Sequence, residues 1–266
     1  MPAAPPGTSD SIELQVDGGI ARIVFDRPDK RNAMTIAMWR RLSAVCHALA
    51  DDPTVRAAVV SGRGPSFCAG ADISALHEDE QTVRTVVDEA EAALRDLPFP
   101  TIAAVHGHCM GGGLEIAVAC DVRVAAEGSI YCVPPAKLAV VYPVAAIEAL
   151  VWLVGPSVTK RLLFTAEVLD TAEALRVGMV DSVVPLEELP QAVDTLLADI
   201  TGKSLLTQAA VKAIVNTIAQ AGDSRAVYAR WRRIWSASND GTEGPRSFTE
   251  RRPADFTWHT GLLRDS

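Results

Sequence analysis

The chain has 266 residues, 48% of them hydrophobic and 22% charged, a balance typical of a globular protein that buries a sizeable core. Its formal net charge of -8 excludes a surface built for nucleic acid, although a few local cations can still bind an anionic ligand. The 5 cysteines include no CxxC pair and the 5 histidines show no ligand spacing, so neither a disulfide framework nor a metal site is expected. A reducing, cytoplasmic setting fits this cysteine usage best.

The N-terminal part of the chain predicts a tail, a hairpin and a helix. Residues 1–10 lack an apolar leader and are rich in Pro, which indicates a disordered tail. Alternating apolar residues then lead into the Asp17-Gly18-Gly19 turn and a second strand over 20–25. Thr35 is positioned to cap a helix whose apolar stripe comprises Met38, Leu42, Val45 and Leu49.

The middle of the chain alternates strand and helix patterns. Strands are predicted over 57–60, 101–105 and 122–125, with a charged, helix-prone stretch over 73–97 and a helix from the glycines at 111–113 through Cys120. This alternation favours an α/β fold with a largely parallel sheet, followed from about Pro185 by helices alone. The apolar run 138–155 is interrupted by Tyr142-Pro143 and predicts a buried core segment, so no membrane span is expected.

Two glycine-containing segments each follow a strand and approach a helix. They cover residues 66–73 (SFCAGADI) and 104–115 (AVHGHCMGGGLE). The first N–H groups of a helix have no internal acceptor, and glycines allow close approach of another backbone or a ligand. Two such N–H groups aimed at one oxygen would form an oxyanion hole, whereas tight packing alone is the alternative explanation. Neither segment is a GxGxxG dinucleotide motif.

These two segments, in this order, resemble the enoyl-CoA hydratase/isomerase (crotonase) family. The resemblance extends to residues 27–33 (RPDKRNA), 162–166 (LLFTA), 172–185 and 251–256 (RRPADF), and so covers most of residues 12 to 256. It implies a crotonase-like α/β fold, in which ββα repeats form a spiral core over 11–190. Residues 191–266 then form a C-terminal helical region for oligomerisation.

The resemblance also implies functional residues and a ligand. The amides of Ala71 and Gly112 match the family's two oxyanion donors to a thioester carbonyl, and Glu115 matches the first of two catalytic glutamates. The stretch that lines the acyl-pantetheine comprises Ala69, Ala71, Asp72, Ile73 and Ser74, and the residues near the CoA phosphates and adenine are Lys30, Arg31 and Ala33. The implied partners are an acyl-CoA substrate, with no separate cofactor, and further copies of the chain in a homotrimer or dimer of trimers.

The sequence departs from family hydratases at the second glutamate. In the run 131–139 (YCVPPAKLA), Pro135 occupies that position, without a gap in the alignment. Because a general acid or base typically contributes about 10²–10⁴ in rate, its loss should slow hydration. Tyr142, Glu148, Asp72 and ordered water are candidate replacements, although each side chain is more simply explained as structural.

A thiol nucleophile is a minor alternative. His106 and His108 alternate near a strand end and could face one side beside Cys68 or Cys109, but no third orienting group is visible.

Three functions therefore stay open. The first is hydration of a 2-enoyl-CoA with Glu115 as acid and base. The second keeps the oxyanion hole for decarboxylation, thioester hydrolysis or isomerisation. The third is a non-catalytic acyl-CoA-binding protein.

Overall fold

The computed structural model describes residues 11–72 and 80–263, so the predicted tail and residues Ile73 and Ser74 lie outside the described residues. The strands are β1 (Ser11–Asp17), β2 (Ile20–Asp26), β3 (Ala57–Gly62), β4 (Thr101–Val105), β5 (His108–Met110), β6 (Val122–Ala126), β7 (Ile130–Cys132) and β8 (Ser182–Val184). The α-helices are α1 (Ile36–Ala50), α2 (Glu80–Arg95), α3 (Gly112–Ala119), α4 (Pro135–Leu138), α5 (Val144–Thr165), α6 (Thr171–Arg176), α7 (Leu189–Thr201), α8 (Leu205–Ala219), α9 (Ser224–Ala237) and α10 (Asp240–Glu250). Short 3-10 turns cover Pro28–Lys30, Leu186–Glu188 and Thr260–Leu263.

A six-stranded mixed sheet forms the centre of the fold, in the order β1-β2-β3-β4-β6-β8. The hairpin β1–β2 is antiparallel and turns at Gly18 and Gly19, whose φ values of 56° and 79° only glycine adopts readily. Every later pairing in the sheet is parallel. The predicted α/β class and hairpin are confirmed.

A second, smaller layer gives the fold its ββα repeat. The short strands β5 and β7 pair in parallel, and single bridges join Met34 to Ala71 and Cys68 to Cys109. The chain therefore passes through a long strand, a short strand and a helix in β4, β5 and α3, and then repeats the two strands in β6 and β7. This is the crotonase-like spiral that the resemblance implies.

The central strands β3 and β4 are covered on both faces and are therefore mostly apolar, whereas β1 and β2 alternate apolar and polar residues. Ala58 and Val60 face the main core with α1, α2 and α3, whereas Ala57 and Val59 face a second cluster formed with α7. The carboxyl ends of β3 and β4 lead into the two glycine-containing segments, which places both segments at the same edge.

The boundaries of α1 follow the sequence closely. The Thr35 side chain accepts a hydrogen bond from the Met38 N–H at 3.2 Å, which satisfies one of the helix's unpaired donors. The predicted stripe is buried, and so is the adjoining Trp39, whose exposed fraction is 1%.

The C-terminal helices pack onto this core through a buried cation. Lys212 of α8 donates to the Asp121 carboxylate at 2.8 Å and to the Phe99 carbonyl at 3.0 Å. Since α7 also covers the main sheet, the helices after residue 190 are continuous with the core, and the proposed domain division stays a prediction. No helix in the described ranges 11–72 and 80–263 is long and apolar enough to cross a membrane.

Candidate functional site

The two glycine-containing segments lie side by side, held by backbone hydrogen bonds. The Cys68 N–H donates to the His108 carbonyl at 2.9 Å, and the Met110 N–H donates to the Cys68 carbonyl at 3.0 Å. The contact requires glycine on both sides. A Cβ on Gly113 would overlap the Cys68 carbonyl oxygen, and a Cβ on Gly70, whose φ is 100°, would lie 2.9 Å from the Met110 oxygen.

This packing brings the amides of Ala71 and Gly112 close together. A Cβ on Gly112 would lie 3.8 Å from the Ala71 nitrogen, and one on Gly70 would lie 3.6 Å from the Gly112 nitrogen. In the bridge to Met34, the hydrogen bonds use the Gly70 carbonyl and the Asp72 N–H, so the Ala71 N–H points away from that strand.

Both of these amides are available as donors. Gly112 is the first residue of α3, and its N–H therefore has no acceptor within the helix. Within residues 11–72 and 80–263, neither the Ala71 nor the Gly112 N–H donates a hydrogen bond. The pair can therefore donate to a single oxygen atom of a ligand.

The Trp39 indole forms the floor beneath Gly112, a contact that the sequence did not reveal. A Cβ on Gly112 would lie 2.9 Å from Trp39 Cζ2, so the ring fixes how far α3 can approach α1. The only signal in the sequence was that Trp39 adjoins the apolar stripe of α1.

The loop over 27–33 is attached to the first glycine-containing segment. The Arg27 guanidinium forms an ion pair with Asp72 and also donates to the Ala33 carbonyl at 3.1 Å. The side chains of Arg27 and Asp72 are 12% and 15% exposed. Asp72 therefore anchors the loop, which argues against its role as a replacement acid.

Asn32 provides the second attachment of this loop. Its buried side-chain amide donates to the Ser66 carbonyl at 2.6 Å and to the Arg63 carbonyl at 3.0 Å, and its oxygen accepts from the Arg27 N–H. Lys30 and Arg31 are exposed on the outer side of the loop, and Ala33 is partly buried. The Arg31 carbonyl accepts from the Ala69 N–H at 2.9 Å, which links the two predicted ligand-binding stretches.

Glu115 lies in the first turn of α3 and lines a cavity of about 60 Å³. A second carboxyl, Glu91 of α2, lines the same cavity. The remaining lining is mostly apolar and includes Leu114 and Val118 of α3, Val133, and Ala146 and Leu150 of α5. Glu115 follows Gly112 by three residues, so the carboxyl in this cavity and the Gly112 amide lie on the same side of the first turn of α3.

The two carboxyl groups interact directly. A hydrogen bond joins the Glu91 and Glu115 carboxyls, and the buried Glu91 Oε1 accepts none from a donor among the described residues. Burial raises the pKa of Glu91 well above its usual value, and the adjacent Glu115 raises it further. Burial also raises the pKa of Glu115, while the hydrogen bond from Glu91 opposes that increase. The pair therefore retains a proton where isolated glutamates are ionised.

The sequence does not single out Glu91, because the whole stretch 73–97 reads as charged and helix-prone. Val87 and Leu94 both pack in the main core, and Glu91 lies four residues after one and three before the other. A charged residue within such an apolar stripe is the signal that could have identified it.

The second family position and the side chains proposed to replace it do not line the cavity that contains Glu115. Pro135 is buried at the start of α4 and carries no titratable group. Glu148 is exposed on α5. The Tyr142 hydroxyl is buried without a partner among the described residues, but Tyr142 does not line the cavity that contains Glu115.

The thiol alternative loses its geometric basis. β4 ends at Val105 and Gly107 has a φ of 59°, so the expectation that His106 and His108 share a strand face was wrong. His106 Nε2 contacts the Gly64 carbonyl at 2.9 Å, and His108 Nδ1 contacts Ser66 Oγ at 3.1 Å.

The cysteines are also poor nucleophiles. Burial raises the pKa of Cys68 to about 12 and raises the pKa of Cys109 well above its usual value. Within the described ranges, no group of three or more His, Cys, Asp or Glu side chains is placed to hold a metal ion.

Comparisons with known proteins agree with this architecture. The enoyl-CoA hydratase/isomerase family profile matches residues 15–259. The chain is 32% identical over 254 residues to the crotonyl-CoA hydratase of Syntrophomonas wolfei, covering 93% of this chain and 98% of that one. It is 30% identical over 259 residues to the carnitinyl-CoA dehydratase of Proteus mirabilis, covering 93% and 98%.

A solved structure shows the same fold. The putative enoyl-CoA hydratase/isomerase family protein from Hyphomonas neptunium superimposes with a TM-score of 0.87 at 32% identity, covering 93% of this chain and 97% of that one. The fold and the paired turns define a protein of the crotonase class. The chain belongs to the enoyl-CoA hydratase/isomerase family.

Proposed function

We propose that the protein is an acyl-CoA enzyme that hydrates 2-enoyl-CoA thioesters. The observation that carries the proposal is a pair of adjacent, available amides, at Ala71 and Gly112, beside a cavity that contains Glu115. Relatives named as crotonyl-CoA hydratase and carnitinyl-CoA dehydratase support a reaction that adds or removes water.

The two amides would form the oxyanion hole. In a 2-enoyl thioester, attack of water at C3 moves electron density onto the thioester oxygen, and two N–H donors stabilise that charge. Removing one such donor typically lowers the rate by about 10²–10³. Glu115 would accept the proton of the attacking water, which requires its ionised form.

The CoA portion would lie along the loop over 27–33. Lys30 and Arg31 are exposed there and can approach phosphates without desolvation, while Ala33 and Ala69 line the inner side. Asp72 would shape this wall through its ion pair with Arg27. No cofactor is needed beyond the CoA that the substrate carries.

The oligomer is proposed to form through the C-terminal helices. Val211, Val215 and Ile218 lie one turn apart along α8 and are 55%, 55% and 47% exposed, which leaves an apolar stripe for a second copy of the chain to cover. Sedimentation equilibrium showing a monomer at micromolar concentration would contradict the proposed homotrimer or dimer of trimers.

Hydration is tested by following enoyl-thioester absorbance with crotonyl-CoA and a medium-chain analogue. Glu115→Gln should lower kcat by about 10²–10⁴ because the variant cannot accept a proton. Glu148→Gln, the same change at an exposed site, is the matched control and should retain wild-type activity. A wild-type protein without turnover on either substrate would refute hydration.

A second candidate keeps the amide pair and changes the reaction. Pro135 favours it, because the position of the family's second glutamate cannot transfer a proton. Decarboxylation or thioester hydrolysis of an acyl-CoA needs fewer proton-transfer groups. Hydration that appears only in Pro135→Glu, together with wild-type activity on a malonyl-type thioester, would favour this candidate.

A further inference from the structure

Glu91 occupies a place in the cavity that neither glutamate of family hydratases explains. It projects from α2, whereas Glu115 lies in the first turn of α3 and the second family position lies after β7 at Pro135. Ala90 and Leu94, on either side of Glu91 along α2, are both fully buried, so α2 packs against the core here and Glu91 is only partly exposed.

The Glu91 carboxyl has acidic neighbours and one basic neighbour, Arg95, which also lines the cavity. Asp88 and Arg95 of α2 and Glu115 of α3 are the charged groups that act on it. Arg95 pairs with Asp96 at 3.1 Å at the protein surface. From α5, the cavity receives only Ala145, Ala146, Ala149 and Leu150, which are apolar.

A purely structural role does not account for this arrangement. Burying a carboxyl without a compensating ion pair is costly, and an apolar side chain of similar volume is usually tolerated better. The Glu91 carboxyl interacts with that of Glu115, and its buried Oε1 receives no hydrogen bond from a donor among the described residues. A buried polar oxygen beside a cavity of about 60 Å³ is positioned to contact a water molecule or a ligand.

We propose that Glu91 is the second acid–base group of this site and performs the proton transfer that Pro135 cannot. This proposal rests on the hydration proposed above. It assigns to α2 a catalytic residue that lines the same cavity as Glu115.

The protons taken up and released in the proposed reaction balance between Glu115 and Glu91. Ionised Glu115 takes a proton from the attacking water as its oxygen bonds to C3. Protonated Glu91 gives its proton to C2 as the enolate electrons return from the thioester oxygen. The product gains H and OH from one water molecule. The hydrogen bond between the carboxyls returns the proton from Glu115 to Glu91.

The test compares Glu91→Gln with wild type in the crotonyl-CoA assay. We expect kcat to fall by about 10²-fold or more while KM changes little, because the amides and the CoA loop are untouched. The alkaline limb of the wild-type pH–rate profile, which reports ionisation of the acid, should disappear in the variant. Glu89→Gln, an exposed neighbour on the same helix, is the matched control and should behave as wild type.

The outcomes separate this proposal from hydration itself. Turnover by Glu91→Gln at the wild-type kcat, or a change confined to KM, overturns the role of Glu91 and leaves hydration standing. Absence of wild-type turnover overturns both. Should Glu91→Gln fail to fold by circular dichroism, Glu91→Asp replaces it. A lowered kcat with a shifted alkaline limb then supports the role, and an unchanged profile overturns it.

Discussion

The contact between Gly113 and Cys68 controls the distance between the proposed oxyanion donors, and Gly113→Ala tests it. The new Cβ would overlap the Cys68 carbonyl oxygen and lie 2.8 Å from Cys68 Cβ. Carbon atoms in contact lie about 3.5–4.0 Å apart, so the segment must retreat by roughly 1 Å. Both obstructing groups belong to a buried backbone and its short side chain, neither of which can rotate away.

Moving the segment in this way should lower both the stability and the catalytic activity of the protein. Overpacking a buried contact typically lowers the free energy of unfolding by about 1–3 kcal/mol. Moving Ala71 away from Gly112 should also lower kcat/KM by about 10²–10³, the effect of losing one oxyanion donor. Urea unfolding measures the first quantity, and enoyl-thioester absorbance measures the second.

Gly128→Ala is the matched control for Gly113→Ala. Gly128 has a φ of 76°, and no atom lies within 4 Å of the position that a Cβ would take there. Alanine at this position therefore strains the backbone by about 1–2 kcal/mol without displacing any segment. The control should lose stability and retain kcat/KM. A Gly113→Ala protein with wild-type stability and wild-type kcat/KM would refute the argument that this contact sets the spacing of the amides.

Three further predictions concern buried groups. Lys212→Met should lower the free energy of unfolding by about 1.5–3 kcal/mol in a urea titration, because Asp121, whose side chain is 28% exposed, loses the hydrogen bond from the buried Lys212 cation. Because the pKa of Glu91 is raised on folding, its contribution to stability is full below pH 4.5 and is lost as pH rises through the folded pKa, so thermal unfolding of Glu91→Gln should depend less on pH over that range. Cys68 and Cys109 should not react with a thiol reagent at pH 8 until the protein is unfolded, because their pKa values are raised by burial.

Each of these has a clear contrary result. An unchanged urea midpoint in Lys212→Met would mean that the ion pair contributes nothing to stability. Identical pH dependence in wild type and Glu91→Gln would mean that the carboxyl does not hold its proton in the folded state. Rapid labelling of native protein would restore the thiol alternative.

Elements governed by local signals could be predicted from the sequence. The Asp17-Gly18-Gly19 turn, the Thr35 cap and the apolar run 101–105 each act within a few residues, and the structure confirms all three. β5 and β7 were not predicted, because each has only 3 residues and exists through pairing with the other across a helix. The periodicity of residues within one segment does not show which distant segment pairs with it as a strand.

The candidate site likewise has parts that the sequence predicts and parts that it does not. The glycines at 70, 112 and 113 were visible as a motif, and the close approach of two backbones gives their physical reason. Glu91 was not visible, because its significance depends on α2 crossing α3, which no spacing along the chain encodes. The loop contact from Arg27 to Asp72 was hidden for the same reason, since the two residues are joined only by the fold.

The loss of a glutamate at Pro135 and the presence of one at Glu91 are connected by the shape of the cavity. Val133, just before Pro135, lines the same space as Glu91 and Glu115, so the segment after β7 and the helix α2 approach it together. A carboxyl can therefore reach Glu115 from either element. Pro135, at the start of α4, provides no carboxyl from the segment after β7. On the proposal made above, Glu91 supplies a proton donor from α2 beside Glu115, and hydration would then depend on this pair of carboxyls.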